Sequence, residues 1–329
     1  MFDFSGDISL MPWAVAPPLL FLAYYYLHVL TAPTMLRLLL FFIFGAASGF
    51  IALHLEWVFD LVANRFTNWN GLERSLYGIA LRQLLEIGPI EESCKMLTVI
   101  IPCLFFKRSL QLRASTIFLC TIAIALGFTA EENWIYFANN PDKTSLVMER
   151  AIGTPVHPML SAPWGYIVAI SIVPRRPFKG YGKILTTAWL NSVICHAIVN
   201  ILSSAWRFSL PTSLLSYFFF PFLVWMFWRL QQLLRQVQSK PPVILVSGKT
   251  LKQRNFQKGL VLFTLMLGGN AIFSIFLMIR NFMSFEKQQI LYSGNFQNIT
   301  FYLLQSLIYT VIAISIYFYL RYSAKRRGF

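Results

Sequence analysis

ASTIFLCTIAIALGFTAEENWIYF, residues 114–137, carries no charge from Ala114 to Ala130 and then meets Glu131, Glu132 and Asn133 in succession. At a rise of 1.5 Å per residue, a helix of about 20 apolar residues crosses the roughly 30 Å hydrocarbon core of a bilayer. The stretch therefore reads as a membrane-spanning helix, with acids placed where acids are expensive.

Working outward, comparable runs recur along the chain. They lie at 10–30, 36–59, 84–106, 156–173, 184–204, 210–230, 260–279 and 301–320, so the expected fold is an all-α polytopic transmembrane bundle of about nine spans. The runs are continuous rather than alternating, which argues against a membrane barrel. Residues 73–83 are mixed and suit an amphipathic lead-in to the third span. Of the 329 residues, 57% are hydrophobic and 12% charged, about half the charge of a soluble domain. Three sections follow: 1–72 with two spans, a core over 73–205, and 206–329 with the remaining spans and a basic linker at 231–258. That linker contains PPVILVSG, which suits a short hairpin or an interfacial segment.

The net charge of +15 does not point to nucleic acid. The bases sit in loops between apolar runs: Lys107, Arg108 and Arg113; Arg175, Arg176, Lys179 and Lys183; Arg229, Arg235, Lys240, Lys249, Lys252, Arg254 and Lys258; then Arg321, Lys325, Arg326 and Arg327. In a nine-span arrangement all these loops share one face, which the positive-inside rule makes cytoplasmic. The C-terminus is then expected inside. The opening MFDFSGDISL lacks a basic n-region and a cleavage site, so no removable signal is expected there. Cys94, Cys103, Cys120 and Cys195 lie in apolar stretches without paired spacing, which suits neither a disulfide framework nor a CxxC metal site.

An ionisable side chain at the centre of a spanning helix costs at least about 2.5–3.5 kcal/mol on insertion scales, so each needs a partner or a role. Such residues gather in four consecutive spans. LLEIGPIEESCKMLTVI (84–100) carries Glu86, Glu91, Glu92 and Lys95; 114–137 carries Glu131, Glu132 and Asn133; RAIGTPVHPMLSAPWGY (150–166) carries Arg150 and His157; NSVICHAIVN (191–200) carries His196 and Asn200. Counting from the basic ends of their spans, Glu92, Glu132, His196 and Asn200 stand roughly 20, 27, 18 and 24 Å up. They share one level in the outer half of the membrane, as members of one buried site would. Glu91 and Lys95 are spaced to pair along a helix face, and His196 and Asn200 face the same way. Gly88 and Pro89 loosen the helix just before the acids.

Paired carboxylates with histidines suit water activation, because a desolvated glutamate becomes a usable base and His or Asn can donate to an oxyanion. The same groups could hold zinc through Glu92, Glu132, His157 and His196, and metal-free and metal-dependent chemistry both stay open at this point. Blander readings stand beside these. Glu91, Glu92 and Lys95 could be a structural ion pair, Glu132 and Asn133 a polar helix end, His157 interfacial, and His196 a satisfied core histidine. Cys195 reads as a small packing residue, Glu86 as structural, and His28 and His54 as interfacial. HExxH, GxSxG and Walker-type signatures are absent from the sequence.

Four blocks in order resemble the PrsW family of intramembrane proteases, distant relatives of the CAAX prenyl endopeptidases. EESCK resembles its EExxK, GFTAEENWIYF its GFxxxEN, the 150–166 segment its histidine block, and HAIVN its HxxxN. The resemblance covers roughly 73–204. It implies an endopeptidase of a bacterial plasma membrane that cuts membrane-anchored proteins, anti-sigma factors among them, on the extracytoplasmic side. Glu91 or Glu92 would activate water, His157 would assist, and His196 with Asn200 would form the oxyanion hole. Lys95, Glu132, Asn133 and Arg150 would support them. The CAAX branch carries a histidine where this chain has Glu132 and Asn133, which leaves the role of Glu132 open. Buried Glu and His also line proton paths, so a proton-coupled transporter is the alternative from another class. A non-catalytic scaffold and a prenyl-protein or bacteriocin-processing protease are further readings. Substrate and oligomeric state are not legible.

Overall fold

A computed structural model describes residues 10–29, 31–105, 113–139, 143–173, 180–285 and 293–327. The opening stretch 1–9 and the loop bases Lys107, Arg108, Arg175, Arg176 and Lys179 lie outside the described residues. Among those described, every regular element is helical and none is a strand. We number the α-helices α1 (Met11–His28), α2 (Met35–Ala63), α3 (Leu76–Arg82), α4 (Gly88–Phe105), α5 (Ala114–Asn139), α6 (Lys143–Gly153), α7 (Val156–Ile172), α8 (Tyr181–Ser204), α9 (Phe219–Val237), α10 (Leu251–Phe285) and α11 (Ser293–Lys325). A five-residue π-turn, Gln83–Ile87, joins α3 to α4.

Among the described residues, six stretches are long and apolar enough to cross a membrane: Met35–Ala63, Ala114–Asn139, Tyr181–Arg207, Thr212–Val237, Leu251–Ile279 and Gln297–Lys325. The other three expected spans are helices as well, α1, α4 and α7, but they fall short in length or apolarity. The reasons are visible in the residues: α1 carries three prolines and three tyrosines, α4 carries two acids and a lysine, and α7 has only 17 residues. The amphipathic lead-in is a short 3-10 turn, Asn70–Arg74, followed by α3. PPVILVSG forms no hairpin; it carries no regular secondary structure.

The chain divides into two compact units, Met1–Ser204 with Arg229–Lys240, and Ala205–Trp228 with Pro241–Phe329. In the first, α5 is the central helix: 94% of its apolar window is buried, packed by α1, α2, α4 and α7. With no water to drive association inside a bilayer, small residues let helix backbones meet. A Cβ on Gly127 of α5 would lie 1.9 Å from the Phe42 carbonyl oxygen of α2, and one on Gly45 would lie 2.1 Å from the Ile124 carbonyl oxygen. These contacts fix α2 against α5 directly through the main chain. In the second unit α10 packs along α11, and Phe220 of α9 meets Phe273 and Phe276 of α10 with its ring tilted against theirs.

Candidate active site

The local chain geometry begins with Gly88 and Pro89. Pro89 has no N–H to donate, so the helix cannot continue regularly through it. The chain widens into the π-turn, whose last bond runs from the Gly88 N–H to the Gln83 carbonyl. Only glycine fits there, because a Cβ would stand 2.6 Å from that carbonyl oxygen. π-turns recur at functional sites because the extra residue re-aims the side chains that follow.

Beyond the turn, α4 presents Glu91, Glu92 and Lys95, all buried. The fully buried Lys95 ammonium stands 3.1 Å from Glu91 Oε2, 2.7 Å from Glu92 Oε1 and 3.0 Å from His157 Nδ1. Phe128 of α5 closes the fourth side, its ring centroid 4.2 Å from Nζ. An ammonium has three donors and no acceptor. All three are used, and His157 Nδ1 must therefore accept. The His157 proton then sits on Nε2, which donates to Glu132 Oε2 at 2.7 Å. Arg150 holds that same oxygen at 2.6 Å and Asn133 Oδ1 at 2.6 Å, and the Asn133 amide donates to the Ala14 carbonyl of α1. His157 is thus oriented from both ring nitrogens.

The two glutamates differ. Glu92 has no exposure; its Oε1 accepts from Lys95, and its Oε2 from Trp164 Nε1 at 2.9 Å and Ser161 Oγ at 3.3 Å. Glu91 accepts from Lys95 and lies between two imidazoles, 3.7 Å from His157 Nδ1 and 3.9 Å from His196 Nε2. His196 is the less committed histidine. Its Nδ1 is buried without a hydrogen-bond partner, 3.6 Å from Glu92 Oε1. The two rings meet edge to face at 6.0 Å. Helices α4, α5, α7 and α8 thus contribute to one continuous network.

Asn200 is placed differently from its sequence reading. It shares the helix α8 with His196, but its amide donates to Gln83 Oε1 in the π-turn at 2.8 Å. Glu131 joins none of these bonds: one carboxyl oxygen packs over Gly49 of α2 and the other has no hydrogen-bond partner. Glu86 belongs to a separate cluster: Trp69 donates to it, and Arg82 bridges it to Asp60 and Glu73. The sequence reading missed Ser161, Trp164, Gln83 and Glu56. Trp164 was findable, since an indole N–H in an apolar helix needs an acceptor. Glu56 was findable as well, as an acid within the second span; it lies half-buried on α2, within electrostatic reach of Glu91, Glu86, Glu132 and Lys95. The four cysteines are free, and Cys195 turns to Asn191.

A family model described as PrsW family intramembrane metalloprotease matches residues 33–226, well over half of the chain. The chain belongs to the PrsW family. It is accordingly an integral membrane protein and a membrane endopeptidase. The match is wider than the four motif blocks and takes in α2, which carries Glu56 and Asp60. No curated protein and no solved structure matches the chain significantly.

The PrsW description as a metalloprotease calls for a test of the donors. Glu91, Glu92 and His196 offer ligand atoms that all lie within 4.8 Å of one another. With the unpartnered Nδ1 of His196, that donor set suits a zinc-like ion held by three protein ligands with one open position. The expected set of Glu92, Glu132, His157 and His196 overlaps it in two members. Glu132 and His157 are instead engaged with each other.

Proposed function

We propose that Glu91 is the general base of a peptide-bond hydrolysis carried out inside the membrane on a membrane-anchored protein. The observation behind this is the placing of one carboxylate between two imidazoles, in a network built by four helices. Glu92 is saturated by Lys95, Trp164 and Ser161, which suits an anchor. Glu91 keeps an oxygen free of such bonds. In the proposed step Glu91 takes a proton from water, and the water oxygen attacks the scissile carbonyl carbon. His196 donates from its ring to the carbonyl oxygen as it becomes negative. Glu91 then returns the proton to the departing amide nitrogen, and the C–N bond breaks. His157, Glu132 and Arg150 hold the second imidazole beside Glu91. Asn200 supports this arrangement through Gln83 rather than at the oxyanion itself.

The second reading rests on the donor set of Glu91, Glu92 and His196. A divalent ion held there would supply Lewis-acid polarisation and water activation. Lys95 favours the first reading, because its ammonium already balances both carboxylates that an ion would need.

Further parts of the proposal follow from charge and from the family. The bundle crosses nine times, with α1, α4 and α7 shielded by their neighbours. The basic loops and the C-terminus are cytoplasmic, and the site lies toward the extracytoplasmic side of a bacterial plasma membrane. Its substrates are single-span proteins of the anti-sigma-factor kind. Glu91, Glu92 and Glu132 gather in one network with both histidines, and the other fully buried acid, Glu86, is held by Arg82 and Trp69, which favours hydrolysis over a proton path strung across the membrane.

The test is cleavage of tagged single-span substrates by reconstituted protein, with metal content measured on the same sample. The proposal expects cleavage that survives chelator and a preparation without stoichiometric metal. Cleavage abolished by chelator and restored by zinc would overturn the metal-free step in favour of the second reading. Substrate-dependent conductance without cleavage would overturn both.

A further inference from the structure

The second compact unit contains none of the residues of the hydrolytic network, and most of it lies beyond the family match. Helix α10 has 35 residues and α11 has 33, and they pack along each other. Only residues 286–292 connect them. That connection reaches at most about 28 Å, whereas α10 is about 52 Å long, so the two helices can only run antiparallel. The start of α10 and the end of α11 therefore lie side by side.

Those two ends carry eight of the eleven basic residues of the unit. Lys249, Lys252, Arg254 and Lys258 stand at the start of α10, and Arg321, Lys325, Arg326 and Arg327 at the end of α11; all eight are exposed. No acid occurs between Glu149 and Glu286, and none follows Glu286. Among the described residues of the unit, these cations consequently have no carboxylate beside them. The loop before α10 is built to hold its shape: Gln257 accepts from the Ser247 and Gly248 N–H groups, and Arg254 Nε donates to the Gly248 carbonyl. Aromatic side chains adjoin the charges, with Phe256, Phe318, Tyr319 and Tyr322 all exposed. Along their lengths the spanning parts of α10 and α11 are only 22% and 11% buried, which leaves their apolar flanks exposed.

We propose that this end of the α10–α11 hairpin binds the phosphate headgroups of anionic lipids. Clusters of four to eight Lys and Arg next to a spanning helix attract anionic lipid, and aromatic rings at the same level anchor the depth. Eight uncompensated cations on one hairpin end exceed what orienting two helices requires. The ligand is the lipid and not free phosphate, because the acyl chains lie against the exposed apolar flanks of the same helices. The unit thereby fixes the protease in anionic bilayer regions. This reading is independent of the hydrolytic step.

The experiment uses the full chain in nanodiscs of equimolar phosphatidylcholine and phosphatidylglycerol. The lipid retained after detergent re-purification is measured by mass spectrometry. Wild type should retain phosphatidylglycerol over phosphatidylcholine by at least about fivefold. Combining Lys249→Gln, Lys252→Gln, Lys258→Gln, Lys325→Gln and Arg326→Gln should bring the ratio to parity, and the corresponding lysine-to-arginine variant should keep it. Raising salt should lower the wild-type ratio, a readout that stands even where the glutamine variant fails to fold. Glycerophosphate without acyl chains should not displace the retained lipid. An equal ratio in wild type and the folded glutamine variant, no preference in wild type, insensitivity to salt, or displacement by glycerophosphate would each overturn the proposal.

Discussion

Glu91 and Glu92 are neighbours in sequence and opposites in environment. On a helix they point about 100° apart, and only packing decides what each meets. Glu92 meets Lys95, Trp164 and Ser161, while Glu91 meets Lys95 and the space between two histidines. The sequence shows the pair and its lysine but cannot rank the two acids, because the ranking depends on α7 and α8. Lys95 should be the costliest residue to remove. Lys95→Met would leave two buried carboxylates uncompensated, at about 3–5 kcal/mol by comparison with broken buried pairs, read as a lowered midpoint of thermal unfolding in detergent. If the metal-dependent reading holds, the same variant would instead bind zinc more tightly than wild type in a chelator competition. Arg150→Ala should act more gently on folding, since Arg150 is partly exposed. It frees Glu132 and loosens His157, so a fall of about 10- to 100-fold in kcat is expected with less change in KM. A matched loss of folding and activity would make it merely structural.

At the level of elements, two close approaches carry the architecture. One is the backbone contact of α2 with α5 at Gly45 and Gly127, and the other is the π-turn at Gly88. Gly127→Val would drive a side chain into the Phe42 carbonyl. Overpacking of this kind costs about 1–3 kcal/mol or more, seen as reduced thermal stability with α2 displaced. Gly88→Ala should leave expression and helix content intact but re-aim Glu91 and Glu92, so cleavage should fall more than stability does. The reverse order would remove the π-turn from the account. The order and type of these helices were legible from apolar runs and from Pro89. The π-turn itself was not, because a single extra residue leaves the hydrophobic pattern almost unchanged. Nor was the turning of Asn200 to Gln83: helical spacing correctly puts Asn200 on the face of His196, but that face crosses both the acids and the turn that precedes them.

At the scale of the whole molecule, the sequence separates what is catalytic from what is not. The acids and histidines of the network lie on α4, α5, α7 and α8, and the family match surrounds those helices and takes in Glu56 of α2 as well. The count of crossings is less legible, because α1, α4 and α7 trade apolar length for prolines and charges that only neighbouring helices can satisfy. With nine crossings, a reporter fused after Ser204 should lie outside and one after Lys325 inside; reporters on the same face would contradict the topology. The central claim is that one buried carboxylate, Glu91, does the chemistry. Its most direct test is single-turnover cleavage of a tagged single-span substrate by reconstituted wild type and Glu91→Gln, with thermal unfolding followed on the same preparations. The account predicts a loss of at least about 100-fold, the lower range for a removed general base, with the unfolding midpoint little changed. Cleavage by Glu91→Gln at the wild-type rate would contradict it.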